Sequence, residues 1–170
     1  MRNTVEEFDN VFSDKETKII YKKVDVPRWR FGHAGIPNSY RKFWHLDLTS
    51  DPFFSTELFE KIQIRIMAKC KLSRVFANGQ TYGQDGDWHQ DRVDKDNYTF
   101  VYYANSSWKP EWGGETDFQI DNKIQSYSPE VNKGIFFPGF ITHRGLAPSR
   151  DCYALRVTIA YQCSVLEWLR

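Results

Sequence analysis

The 170 residues carry 23 Lys and Arg against 22 Asp and Glu, a formal net charge of +1, and a balance so even argues against a strong electrostatic grip on nucleic acid or an anionic membrane. The length is that of one domain spanning 1–170, with room for a real core, and 13 Phe, 9 Tyr and 6 Trp favour sheets packed face to face over a helical bundle. Cys70, Cys152 and Cys163 are odd in number and include no C-x-x-C pair, the first residues lack a signal-peptide core and no apolar run approaches a membrane span, which together fit a cytoplasmic protein.

Residues 1–18 are polar, and Val5, Phe8, Val11 and Phe12 suit a short helix or a draped arm. Ile19 to Val26 reads as a strand ended by Pro27. From Pro27 to Asp51 the chain looks irregular and rich in rings: Trp29, Phe31, His33, Tyr40, Phe43, Trp44 and His45. Two readings stand for this segment, a loop whose rings serve the core or a wall of a ligand site. Asp51-Pro52 then opens the clearest helix, with Asp51 as N-cap and Pro52 at the first helical position. Phe54, Leu58, Ile62 and Ile66 form its apolar stripe, Phe59 widens it, and the end is expected near Lys69–Lys71.

Beyond that helix the hydrophobic period changes to two. Strands are expected at 72–77, 98–104, 115–120, 124–129, 135–137 and 155–163, separated by turns such as Asn78-Gly79 and Asp121-Asn122-Lys123. Many short strands with turn-rich links predict a mainly β protein with flanking helices, a double-stranded β-helix or jelly roll, with its core at roughly 72–163.

The chemistry concentrates around Trp88-His89-Gln90-Asp91. His89 and Asp91 are two apart, so an extended chain turns both side chains to one face, where an imidazole and a carboxylate can take neighbouring corners of a coordination sphere. Only four histidines occur in the chain, and His143 follows the apolar run Phe136-Phe137-Pro138 at a distance that intervening hairpins can return. Two imidazoles and one carboxylate make the facial triad of non-haem iron sites, although the same donors accept zinc, manganese or cobalt. Arg156 falls on the polar face of an otherwise apolar last strand, with Thr158 beside it on that face. A guanidinium pointing into the interior of a roll needs an anion to meet it, and a bidentate carboxylate is the natural partner. Arg150, in a loop, is the rival cation.

In their order along the chain, these motifs resemble those of the 2-oxoglutarate- and Fe(II)-dependent dioxygenases, particularly the prolyl hydroxylase-like branch. The resemblance rests on His89-x-Asp91, the strand Val101-Tyr102-Tyr103-Ala104-Asn105, Gly113-Gly114-Glu115-Thr116-Asp117-Phe118, Phe136-Phe137-Pro138 leading to His143, and Arg156-Val157-Thr158. It implies ferrous iron, Fe(2+), on His89, Asp91 and His143. It also implies 2-oxoglutarate as cosubstrate, its distal carboxylate on Arg156 with Tyr103 as hydroxyl partner, Thr158 as a weaker one, and Asn78 near the 2-oxo acid end. Ascorbate is admitted as an accessory. The 13 residues from His143 to Arg156 exceed the usual spacing, which keeps Arg150 open as the clamp. The implied reaction is hydroxylation of an unactivated C–H bond, with a prolyl residue of a peptide or protein as leading substrate. A free amino acid or small metabolite is the alternative, and a metal-binding cupin-like module without catalysis, or of isomerase type, is the other class.

Overall fold

The computed structural model describes residues 4–169. Chain order is β1 (Glu6–Phe8), α1 (Asp14–Val24), β2 (Arg30–His33), β3 (Phe43–Asp47), a π-helical turn (Phe53–Leu58) running into α2 (Phe59–Ile66), β4 (Ala68–Gln80), β5 (Asn97–Tyr103), a 3₁₀ turn (Pro110–Trp112), β6 (Thr116–Ile120), β7 (Lys123–Tyr127), β8 (Gly134–Pro138), β9 (His143–Gly145) and β10 (Arg156–Trp168). Seven strands form one sheet in the order β1-β8-β5-β10-β4-β3-β2, and three form a second in the order β7-β6-β9. Two facing antiparallel sheets with helices on one outer side are the expected jelly roll.

The period-two pattern decides which face of the large sheet does what. Val75, Ala77, Phe100, Tyr102, Phe136, Val157, Ile159 and Tyr161 turn to the side covered by α1 and α2, where they join Ile20, Phe54, Leu58, Phe59, Ile62 and Ile66 in one core. Their neighbours Phe76, Val101, Tyr103, Ile135, Phe137 and Ala160 turn the other way and pack with Phe118 of the small sheet. Ile159 and Tyr161 are fully buried, as is Arg156 on the opposite face. A one-residue slip of β10 would exchange those faces. It would forfeit about 1.5–3 kcal/mol for each large apolar side chain lost from the core and drive the guanidinium among the helices.

Four expectations are corrected. Asn78-Gly79 is not a turn but lies inside β4, opposite Thr158 and Val157 of β10. The segment from Ile19 to Val26 is not a strand: through Val24 it is the second half of α1, whose start is a capping box, with Glu16 N donating to Ser13 Oγ at 3.4 Å and Ser13 N to Glu16 Oε2 at 2.9 Å. Thr17, Ile20 and Val24 then fall on one buried stripe. Within 27–51 the chain is not irregular throughout, since β2 and β3 extend the large sheet beside β4. The second helix ends at Ile66 rather than near Lys69–Lys71, because Met67 takes a left-handed conformation (φ 53°) that stops it and turns the chain into β4. Its start holds as expected, with Phe53 N donating to Asp51 Oδ1 at 3.0 Å. Before α1, the arm adds β1 to the edge of β8, and the Asn132 side chain pins it by accepting from Phe12 N (3.0 Å) and donating to Phe12 O (2.8 Å). Among the described residues no helix is long and apolar enough to cross a membrane.

Candidate active site

Between the two sheets lies a cavity of about 170 Å³, and His89, Asp91 and His143 line it together. The chain brings them there by stitching the loop before β5 onto β9. His89 N donates to His143 O (3.0 Å) and His143 N to His89 O (2.9 Å), a single antiparallel bridge. Asp91 N donates to Gly139 O at 2.9 Å, and Gln90 Nε2 to Phe140 O at 2.6 Å.

One potential ligand atom from each of the three lies within 4.8 Å of the others. Both imidazole Nε2 atoms stand 3.7 Å from the Asp91 carboxylate, His89 from Oδ1 and His143 from Oδ2. Each Nδ1 lies 2.9 Å from a backbone carbonyl, Asp87 O for His89 and Ile141 O for His143. A carbonyl can only accept, so both Nδ1 atoms carry the proton and both Nε2 lone pairs face the centre. The donor set therefore fits a divalent metal held on one face.

The surroundings fix these side chains further. Phe118 stacks on the His143 ring (5.6 Å, 27°) and Phe137 meets it edge-on (4.6 Å, 62°). Burial opposes ionisation of Asp91, but the two imidazoles and the Thr99 hydroxyl outweigh it and hold the carboxyl at about 2. Burial likewise lowers His143 and keeps it neutral, as a ligand must be. For His89 burial is again the largest single effect, yet Asp91 and Asp87 together turn the net shift upward. Trp88 takes no place in the cavity lining; the Arg144 guanidinium lies 4.4 Å from its ring centroid and also contacts buried Asp117 at 3.1 Å.

At one end of the same cavity sits Arg156, 1% exposed. Its Nε donates to Gly114 O, Nη1 to Gln80 Oε1 at 2.7 Å and Nη2 to Thr116 Oγ1 at 3.1 Å. Those three bonds use three of five guanidinium N–H groups and aim the fork, leaving two for an anion. Thr158 and Asn78 line the cavity opposite one another across β10 and β4, and the Asn78 side chain also stands beside His45, its partner on β3. Arg150 stands outside this cavity, its guanidinium 5.7 Å from the Tyr82 ring centroid. Tyr103 sits behind the cavity wall: its hydroxyl donates to Thr116 Oγ1 (2.8 Å) or Tyr127 O (3.1 Å), and burial pushes it up to about 12. It braces Thr116, which in turn touches Arg156.

A family model described as the 2OG-Fe(II) oxygenase superfamily matches residues 71–162. The chain belongs to this superfamily. Solved structures place the oxygenase fold beside several relatives. A prolyl hydroxylase from Trichoplax adhaerens, in complex with a peptide fragment of the hypoxia inducible factor oxygen degradation domain, superposes with a TM-score of 0.72 at 15% identity, over 95% of this chain and 84% of that one. A Pseudomonas putida prolyl-4-hydroxylase gives 0.71 at 14%, over 95% and 92%. HygX from Streptomyces hygroscopicus, with nickel, 2-oxoglutarate and hygromycin B bound, gives 0.70 at 10%, over 98% and 85%. No curated protein matches the sequence. Such identities establish the shared fold, and the spread of ligands among these relatives shows that the fold does not select a substrate.

Residues to which the sequence assigned no role share the cavity. Thr99, Gln80, Thr116 and Gly145 touch the metal or anion ends, and His33, Phe43, Arg74 and Phe76 form the remaining wall. The segment from Pro27 to Asp51 thus contributes to the cavity through His33, Ala34, Gly35 and Phe43, while Trp29 packs on the core.

Proposed function

We propose that the protein hydroxylates an unactivated C–H bond with 2-oxoglutarate and O₂ as cosubstrates, acting as one oxygenase domain over residues 1–170. The observation that carries the reading is the shared cavity: three converging metal donors at one point and a buried, hydrogen-bonded guanidinium at one end. His89, Asp91 and His143 would hold Fe(II), and Arg156 would receive the distal carboxylate of 2-oxoglutarate, with Thr158 and Asn78 as further polar contacts. Bound iron and 2-oxoglutarate supply the oxidising power, coupling decarboxylation of the 2-oxo acid to succinate and CO₂ with transfer of one oxygen to the substrate. The chain's own part is to orient. It aims both imidazole Nε2 atoms at one point, keeps the Asp91 carboxylate ionised and closes the anion end with Gln80, Thr116 and Gly114.

A prolyl residue of a peptide or protein is the leading substrate, supported by the peptide-bound prolyl hydroxylase among the fold relatives. Three free cysteines suit a cytoplasmic setting, and the near-neutral charge disfavours nucleic acid as partner. Anaerobic addition of Fe(II) and 2-oxoglutarate should give a weak visible charge-transfer band that His89→Ala and Asp91→Ala abolish. Screening peptides and metabolites for succinate release with a mass gain of about one oxygen then identifies the substrate. A protein that binds the metal but never develops the band would be the non-catalytic cupin-like module instead.

A further inference from the structure

The cavity has a second arginine at its other end. Along β4 the side chains of Arg74, Phe76, Asn78 and Gln80 share the cavity face. Gln80 stands opposite Arg156 in the β4–β10 register and Arg74 opposite Gln162, six residues further along. At about 3.3 Å per residue the two arginine positions are roughly 20 Å apart. Gln162 in turn faces Thr99 in the β10–β5 register. Arg74, Gln162 and Thr99 therefore make one row across three adjacent strands, at the level where Thr99 holds the Asp91 carboxylate. Strands about 4.8 Å apart put the Arg74 backbone some 10 Å from that of Thr99, with the buried Gln162 side chain between them.

Arg74 is aimed rather than loose. Arg74 itself is exposed at the cavity mouth, but its Nε donates to Gln162 Oε1 at 2.7 Å and its guanidinium lies 4.5 Å from the centroid of the Phe76 ring, and both of those partners are buried. Among the described residues no carboxylate stands within 4 Å of it. Asp47, on the neighbouring strand β3 opposite Phe76, accepts from Thr49 N at 2.9 Å and meets the Arg74 charge only at longer range. Holding a guanidinium in one orientation costs side-chain entropy, and the rigid fork matches a carboxylate in two-point contact. The wall beside it is flat and weakly polar: His33 packs against Phe43 (5.3 Å) and stacks on His45 (4.4 Å, 27°).

We propose that Arg74 binds a carboxylate of the substrate, so that the carbon to be hydroxylated lies a few bonds from an acid group on a compact, apolar body. The assignment rests on the oxygenase reading, in which Arg156 is taken by the cosubstrate and Arg74 is left for the substrate. The acid can be that of a free amino acid or an acidic residue beside the target in a peptide. Both sources offer the same group.

Two matched pairs of probes separate them: L-proline against L-prolinamide, and acetyl-Pro-Asp-amide against acetyl-Pro-Asn-amide. Each is assayed for stimulated succinate release and a mass gain of about one oxygen. In at least one pair the acid should exceed its amide at least tenfold in kcat/KM. Arg74→Gln should bring the acid-to-amide ratio down toward one, and Arg74→Lys should recover part of it. The responding pair names the source of the carboxylate. Equal turnover of acid and amide, an equal loss of both in Arg74→Gln, or no stimulation by either acid while the wild type releases succinate from 2-oxoglutarate alone, overturns the proposal. Calorimetric titration of the Mn(II)-loaded variant with 2-oxoglutarate guards the fold, since loss of that binding would make Arg74 structural and also overturn it. A wild type that neither binds 2-oxoglutarate nor releases succinate would be a different failure, that of the oxygenase reading itself.

Discussion

Thr99 Oγ1 donates a 2.6 Å hydrogen bond to Asp91 Oδ2, so a residue of the large sheet sets the orientation of the one carboxylate in the metal cluster. Outer groups that hold a ligand commonly contribute 10–100-fold to metal affinity. Thr99→Val keeps the shape and removes the donor, and is expected to weaken Mn(II) binding about tenfold. Thr99→Ser should restore it. Calorimetric titration of the three proteins checks this, and equal affinities would reduce Thr99 to a packing residue.

At the other end of the cavity the decisive neighbour is a glycine. A Cβ on Gly145 would lie 3.2 Å from Gln80 Oε1 and 3.4 Å from Arg156 Nη1, two atoms already tied to each other at 2.7 Å. Gly145→Ala should therefore displace or occlude the guanidinium and raise the apparent KM for 2-oxoglutarate by about tenfold, roughly 1.4 kcal/mol of binding. Mn(II) affinity should stay the same in this variant, which separates the anion end from the metal end.

How much of this was legible beforehand differs by residue. His89, Asp91 and His143 were readable because histidine is scarce and the spacing specific, and Arg156 because a charged residue breaks an apolar strand. Thr99, Gln80 and Thr116 were not: Thr99 alternates with apolar residues and reads equally well as the solvent face, Gln80 follows the Asn78-Gly79 pair that reads as a turn, and Thr116 stands between two acidic residues. Only the register across β4, β10 and β5, and for Thr116 that of β6 with β9, turns them inward. The stretch from Ile19 to Val26 misled because five β-favouring residues outweighed a start signal six positions earlier, the Ser13-x-x-Glu16 box that fixes α1. Strands β2 and β3 hid in a ring-rich segment whose alternation is only five residues long.

His33 gives the fold a pH dependence with a definite sign. Burial first, then the neighbouring His45 and Arg74, lowers it to about 4 from an ordinary 6.5. The unfolded chain binds the proton more tightly than the folded one, so this contribution to stability is complete above about pH 6.5 and declines as pH falls toward about 4. Urea midpoints at pH 7 and pH 5 should thus differ less in His33→Phe than in the wild type. His45, lowered by burial as well, keeps part of the dependence in that variant.

Trp29 and Trp44 lie in the same ring-rich segment and should behave differently. Trp29 Nε1 donates to Val24 O at 2.9 Å, and its ring packs where a Cβ on Gly79 would come within 3.1 Å, so it seals the junction of α1 with β4. Trp44 pairs with Phe31 on the outer hairpin at 5.3 Å. Trp29→Ala leaves a partly collapsible gap and an unpaired carbonyl, and should cost about 2–4 kcal/mol, below the figure for a fully buried aromatic because the ring is only half-buried. Trp44→Ala should cost under about 1.5 kcal/mol. Urea denaturation measures both. At temperatures where the variants remain folded, 2-oxoglutarate affinity should be unchanged in each, because neither ring lines the cavity. A Trp29→Ala protein of wild-type stability with impaired substrate turnover would instead make that ring part of the substrate wall.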